Sequence, residues 1–367
     1  MVELVDAGSM PYKGDFEKFL EGSKFYLPSA MSQSVDKAKN FEERVIEAFI
    51  DKLIAGIEIP NYPQFRDMNY MFLEPIDGIE KVKGGFMEID NLSLSPDKSQ
   101  IKEVATIRNN LERIFTKIGH PIKLKICITG PYTLSNFFIH KDSEIFIRLG
   151  KILSEIVENN IYHGKKGYVN ILVVDEPTFG FIDDPLIDYG SDGRENLIKA
   201  WETIFQKALS KGVNTSIHLH NTVNELYWDV KSLKILESHV DDPLYSSEKT
   251  KKKLESADKF LKASISLSIF DKLIKNHVMT ILPSNSSEIK INEKIGQIWH
   301  EIKRNNQDPL VFFENPRVIQ KRLEKIINLF GTERVLYAGP ECGLKSFPTY
   351  ESAIKCLKNT VNAVKNT

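Results

Sequence analysis

The turn Gly339-Pro340-Glu341-Cys342-Gly343-Leu344 presents one thiol at the end of a strand-like run, Arg334–Ala338. A lone cysteine is most often a small buried hydrophobe, but other residues with ligand chemistry stand in comparable places. His218 and His220 lie two residues apart at the end of the run Asn214–Leu219, Glu237 follows Lys234–Leu236, and Asp175-Glu176-Pro177 follows the apolar run Ile171–Val174. Residues i and i+2 of a strand point the same way, so the two imidazoles share a face and can reach one ion. A thiolate donor suits zinc and disfavours magnesium or calcium. Three or four protein donors with a position left open describe a catalytic zinc site, which can lower the pKa of a substrate thiol and hold it as a nucleophile. Each residue also has a structural alternative: hydrogen-bonded filling for the histidines, pairing with a nearby lysine for Glu237, helix capping for Asp175. His239 and Asp241 are close enough to Glu237 in sequence to be confused with it.

Strand-length apolar runs that alternate with amphipathic helical stretches must position these groups. The candidate strands are Leu4–Ala7, Ala55–Ile59, Lys123–Thr129, Asn170–Val174, Asn214–Leu219, Lys234–Leu236, Ala263–Ser268 and Arg334–Ala338. Helical patterns fall at Phe41–Leu53, Gln100–Ile118, Ser143–Glu158, Arg194–Ser210 and Arg317–Leu329, the last opened by Glu314-Asn315-Pro316. Eight strands alternating with helices predict an α/β fold, a (β/α)8 TIM barrel, whose active site forms at the C-terminal ends of the strands. No Pro/Gly/Ser linker divides the chain, so one domain over residues 1–367 is expected, with about 10–40 as an extra hairpin or lid outside the barrel. The Lys- and Ser-rich stretch 246–255 reads as a solvated loop or helix start.

Lys+Arg 49 against Asp+Glu 50 gives a net charge of -1, so bulk electrostatic affinity for nucleic acid or an anionic membrane is not expected. Cys127, Cys342 and Cys356 are odd in number and irregularly spaced, which argues against a disulfide framework and for a reducing, cytoplasmic setting. No signal-peptide pattern is visible, and no apolar run approaches the roughly 18 residues that would span a bilayer.

At these residues the chain resembles the catalytic C-terminal barrel of cobalamin-independent methionine synthase. The resemblance runs through Thr129-Gly130-Pro131, Val174-Asp175-Glu176-Pro177 and Gly339-Pro340-Glu341-Cys342-Gly343-Leu344. It extends to Gly8-Ser9-Met10-Pro11 and Gln64-Phe65-Arg66-Asp67-Met68, and so covers nearly the whole chain. Uroporphyrinogen decarboxylases and the zinc methyltransferases that use methylcobamides are more distant relatives. In length the chain is similar to the short "core" forms, common in archaea, that lack the N-terminal barrel.

The resemblance implies zinc held by a His, a Cys two residues on, a Glu and a C-terminal Cys. Here those are His218, His220, Glu237 and Cys342, with His220 where the family has Cys. A second register would align the family's His with His220 and put Thr222 at the Cys position, losing a ligand. Imidazole in place of one thiolate makes the ion a stronger Lewis acid and its bound sulfur a less electron-rich nucleophile.

For homocysteine the resemblance implies Ser9 at the carboxylate and Asp175, the catalytic carboxylate, at the amine; the family's second acid on the amine falls near Gln64. Phe137 stands where the two-barrel enzymes stack a Trp on the pterin of methyltetrahydrofolate, which leaves less stacking surface and no N–H. The methyl donor implied is therefore methyltetrahydrofolate or a methyl-corrinoid, methylcobalamin itself or a partner protein that carries it. The expected activity is zinc-dependent methyl transfer to homocysteine, giving methionine. The alternatives are transfer to another small thiol such as coenzyme M, and a non-catalytic zinc- or corrinoid-binding homologue. Decarboxylase chemistry would need neither metal nor Cys342.

Overall fold

The computed structural model describes residues 2–27, 36–181 and 183–365. Its strands are β1 (Glu3–Leu4), β2 (Ile76–Val82), β3 (Gly85–Leu94), β4 (Ile122–Thr129), β5 (His163–Gly164), β6 (Gly167–Glu176), β7 (Asn214–Leu219), β8 (Ile235–Glu237), β9 (Phe260–Ser266) and β10 (Val335–Pro340). Seven of them run parallel in one curled sheet, in the order β1-β10-β9-β8-β7-β6-β4, and β5 pairs with β6 at its side. The gap between β1 and β4 is spanned by residues 59–64 through parallel bridges, Val5↔Ile59 and Ser9↔Gln64 on one side and Asn61↔Lys125 on the other. With that stave the sheet meets itself, and the expected α/β barrel is formed.

Alternation along each strand separates two cores. On β4, Leu124, Ile126 and Ile128 belong to the large core that the helices cover, whereas Cys127 joins Val5, Ile59, Ile171, Val173, Ile235 and Tyr337 in the barrel interior. The lower part of the barrel is thus an apolar plug, and polar interior positions come nearer the strands' C-terminal ends.

The expected second strand, Ala55–Ile59, starts late. The helix Asp36–Ile54 runs into its place, Gly56 turns the chain at φ 101°, and pairing begins at Ile59. The expected helix Gln100–Ile118 is two, Lys102–Asn109 and Leu111–Ile118, broken at Asn110, whose side-chain amide donates back to the Thr106 carbonyl at 3.0 Å. The helix Pro316–Phe330 starts as anticipated, with Asn315 accepting from Arg317 N–H at 3.0 Å. Of the segment at about 10–40, residues 28–35 lie outside the described residues; the helix Phe16–Phe25 packs on Asp36–Ile54, with the Phe19 ring 5.0 Å from that of Phe41.

β2 and β3 form an antiparallel hairpin that the sequence reading did not include. The Phe86 N–H donates to the Phe137 carbonyl at 2.7 Å and the Ile139 N–H returns to Phe86 O at 3.0 Å. A Cβ at Gly85 would fall 2.3 Å from that carbonyl, so only glycine permits the approach. Among the described residues, no helix is long and apolar enough to cross a membrane.

A buried ion pair fastens the closing stave. Lys52 Nζ lies 2.8 Å from Asp6 Oδ2 and donates to the carbonyls of Gly8 and Asn61 at 3.1 and 3.0 Å. Asp6 in turn accepts from the N–H groups of Asn61 and Gly8. Removing one partner of such a pair leaves a buried charge uncompensated. Lys52→Met is therefore expected to lower the unfolding free energy by about 3–5 kcal/mol, measured by urea denaturation against wild type; a loss below about 1 kcal/mol would contradict this.

Candidate functional site

Parallel register sets the site's level. Thr129 pairs with Asp175, Asp175 with His218, and His218 with Glu237, so four consecutive strands present these residues side by side near their C-terminal ends. Asp175 shares its face with Ile171 and Val173 of the barrel interior, and Glu237 shares its face with Ile235. His220 and His239 follow two residues after His218 and Glu237 by the same alternation, and Cys342 comes two residues after β10.

Four donors meet there. One ligand atom each from His218, His220, His239 and Cys342 lies within 4.8 Å of every other. Cys342 Sγ is 3.6 Å from His220 Nε2, and the rings of His220 and His239 are 4.1 Å apart between centroids. Two imidazoles are backed by carboxylates: Glu237 Oε1 lies 3.9 Å from His218 Nδ1, and Glu341 Oε2 lies 3.9 Å from His239 Nδ1. The opposite atoms, Nε2 of His218 and of His239, are buried with no hydrogen-bond partner. A carboxylate behind one ring nitrogen and an open lone pair on the other is how metal-binding histidines are held.

Protonation states fit the same role. Burial pushes His220 and His239 down to about 3 and about 4, and His218 well below the usual imidazole range, so all three are neutral donors at neutral pH. Burial pushes the Cys342 thiol up to about 12, so only a cation nearby would favour its thiolate.

Of the expected ligands, the structure gathers His218, His220 and Cys342 and does not bring Glu237 into the group. Glu237 Oε2 is 3.1 Å from Lys262 Nζ and Oε1 is 3.5 Å from Lys125 Nζ, all three side chains being only 3 % exposed. Burial alone would raise its pKa, but the two ammonium charges outweigh burial and hold it below the usual carboxylate range. Both oxygens of Glu237 are thus within ion-pair range of a buried ammonium group, and Glu237 stands outside the gathered donors. The fourth side chain of the gathered group is His239. Thr222, the alternative position two residues past His220, donates to Asp242 Oδ1 at 2.5 Å and points its hydroxyl elsewhere.

The Asp175-Glu176 pair divides its work. Asp175 is half-buried, with its Oδ1 buried and unpartnered, and desolvation together with the charges of Glu237 and Glu176 raises its pKa to about 8. Glu176 accepts from the N–H groups of Tyr132 and Thr133 at 3.0 and 2.7 Å and from Trp201 Nε1 at 2.9 Å. A Cβ on Gly130 would fall 2.2 Å from Glu176 Oε1. Thr129-Gly130-Pro131 and Glu176 thus form one structural joint that leaves Asp175 to the site.

Ser9 abuts the turn of Cys342: a Cβ on Gly343 would fall 1.7 Å from Ser9 Oγ, and Ser9 O accepts from Leu344 N–H at 2.7 Å. Gln64 is buried beside Gly8 and donates to Cys127 O at 3.4 Å. Phe137 lies in an aromatic group, 6.3 Å from the Tyr70 ring. The sequence reading assigned no role to Glu341, Lys125 or Lys262. Glu341, fully buried, accepts from Val240 and Ser268 N–H at 2.9 and 3.2 Å, and its place next to Cys342 was the one available signal. An unfolded histidine binds its proton near 6.5, whereas His220 and His239 hold out to about 3 and 4 when folded. The unfolded chain therefore binds more protons in between, and these groups' stabilising contribution is lost as pH falls from 6.5 towards 4. His239→Gln should flatten that decline, seen as a smaller drop in urea midpoint across the window in chelator-treated protein.

No protein-family profile matches the chain. A protein of Sulfurisphaera tokodaii named methionine synthase is 22% identical over 345 residues, covering 90% of this chain and 83% of the relative. Another from Sulfolobus acidocaldarius, also named methionine synthase, is 21% identical over 341 residues, covering 90% and 82%. Among solved structures, a B12-independent methionine synthase from Shewanella in complex with selenomethionine superposes with a TM-score of 0.61 at 14% identity, covering 100% of this chain and 98% of that one. A putative vitamin-B12-independent methionine synthase from Listeria monocytogenes gives 0.56 at 13% identity, with the same coverage. Over nine-tenths of its length the chain resembles the methionine synthases, and its fold is that of the B12-independent members.

Proposed function

We propose that this protein is a zinc-dependent methyltransferase that moves a methyl group to the thiol of homocysteine, giving methionine. The observation that carries it is the meeting of one thiol and three neutral imidazoles, two with unpartnered Nε2 atoms, beside Asp175, whose buried Oδ1 is also unpartnered. His218, His220 and Cys342 would be among the donors to zinc. Zinc held there supplies Lewis acidity that lowers the pKa of a substrate thiol.

The chain's own residues orient the amino acid. An ammonium group bound beside Asp175 would pull its raised pKa back down, so that the unpartnered Oδ1 accepts from it as a carboxylate. Ser9, fixed against Gly343, offers its hydroxyl to the substrate carboxylate beside Cys342. Methyl transfer is an in-line displacement: the substrate sulfur bonds to the methyl carbon while the bond from carbon to donor breaks, its electrons leaving with the donor. Holding sulfur and methyl at attack distance can supply about 7 kcal/mol or more of the barrier.

The donor is methyltetrahydrofolate or a methyl-corrinoid, approaching over the mouth where Phe137 and Tyr70 present rings. The barrel acts as one catalytic unit over residues 1–367, in the cytoplasm, where the free thiols of Cys127, Cys342 and Cys356 are stable.

The deciding experiment is a methyl-transfer assay with homocysteine, methyltetrahydrofolate and methylcobalamin offered in parallel, with metal quantified in the same sample. No methionine from either donor by metal-replete protein would reject the proposal. Cys342→Ser should lose zinc and activity together while the circular dichroism spectrum is retained; unchanged zinc content would remove Cys342 from the donors. Asp175→Asn should retain metal but raise KM for homocysteine by roughly 10- to 100-fold, the scale of one charge-assisted hydrogen bond. An unchanged KM would release Asp175 from the amine.

A further inference from the structure

We infer that the metal's four protein donors in this chain are His218, His220, His239 and Cys342, and that Glu237 is withheld from the ion by Lys125 and Lys262 and serves to orient His218. The inference rests on the metal-centre proposal above and specifies its coordination.

The donor atoms are already together, within 4.8 Å of one another, and they include His239 and exclude Glu237. The two imidazoles whose Nε2 is buried without a hydrogen-bond partner, those of His218 and His239, each have a glutamate 3.9 Å behind Nδ1. Glu237 therefore stands to His218 as Glu341 stands to His239. If Glu237 were the ligand, His239 and Glu341 would form this matching arrangement with nothing to bind.

Glu237 is also committed to other charges. Lys262 Nζ, 3.1 Å from Oε2, donates further to Ser264 Oγ and the Pro340 carbonyl at 3.0 and 2.6 Å, which fixes it under the turn that carries Cys342. Lys125 Nζ, 3.5 Å from Oε1, comes from β4 across the barrel. Drawing the carboxylate onto a metal would divide its single negative charge between the ion and two buried ammonium groups, where under-compensated charge is penalised.

The charge count of the centre follows. Three neutral imidazoles and one thiolate contribute a single negative charge, so a divalent ion retains one positive charge (2 − 1 = 1). A set with Glu237 in place of His239 would leave the ion neutral (2 − 2 = 0). The centre described here therefore attracts an anionic sulfur more strongly and leaves that sulfur less electron-rich, which favours the more reactive methyl donors.

Cobalt(II) serves as probe, with full-length protein. X-ray absorption on the unmodified protein should count one sulfur and the scattering pattern of three imidazoles; two imidazoles with an added oxygen from protein would overturn the inference. His239→Ala should lose one imidazole from that count and weaken cobalt binding by more than about 100-fold in chelator competition, beyond the roughly 10- to 100-fold expected for losing an outer partner. Glu237→Gln should keep the imidazole count and the thiolate-to-cobalt absorption band, with binding weakened within that outer-partner range. Metal loss in Glu237→Gln together with retention in His239→Ala would make Glu237 the ligand. Failure of the unmodified protein to bind cobalt or zinc at all would remove the metal-centre proposal itself, an outcome distinct from a changed donor set.

Discussion

Parallel strands in fixed register decide which side chains share a level, and everything at this site follows from one such level. Because β6, β7 and β8 pair Asp175 with His218 and His218 with Glu237, a carboxyl, an imidazole and a second carboxylate are neighbours before any loop is placed. A slip of one residue would turn all three to the helix side. The loops need only add to this row. His220 and His239 continue the alternation of their own strands, and the turn after β10 brings Cys342 down onto them.

The row sits on a boundary between two electrostatic regimes. Beneath it, Lys125, Lys262 and Glu237 form a group whose charges answer one another inside the protein. Above it, the imidazoles are neutral, the thiol is held protonated and Asp175 lacks a partner. Dry surroundings penalise lone charges, so the upper layer stays neutral until a cation arrives from solvent. The contrast explains why two glutamates of similar burial, Glu237 and Glu176, do not become interchangeable acids. One is matched by ammonium groups, and the other by two backbone N–H groups at a helix start and the Trp201 indole N–H.

Much of this was legible in the sequence, and the parts that were not share a cause. The strand Asn214–Leu219 and the cap at Asn315 were readable because period-two alternation and Asn-Pro chemistry act locally. His218, His220 and Cys342 were readable because donors at strand ends converge in any parallel barrel. The pairing of Glu237 with Lys125 and Lys262 was not readable because they lie 112 positions before it and 25 after it (237 − 125 and 262 − 237). A lysine inside a strand pattern looks like a solvent-facing residue. His239 was close enough to Glu237 to be confused with it, and nothing local to that stretch says which of the two side chains turns to the mouth. The stave at residues 59–64 pairs through isolated bridges, so its strand pattern was displaced.

The β2–β3 hairpin carries a consequence for how the mouth is shaped. Its backbone is hydrogen-bonded directly to Phe137 and Ile139, with Gly85 seated against the Phe137 carbonyl. The hairpin is therefore a lever whose short arm is the aromatic wall of the mouth. Changes in the long, solvent-facing arm of β3 would be transmitted to that wall without altering any residue lining it, so the width of the mouth can be retuned from outside while the His/Cys group stays untouched.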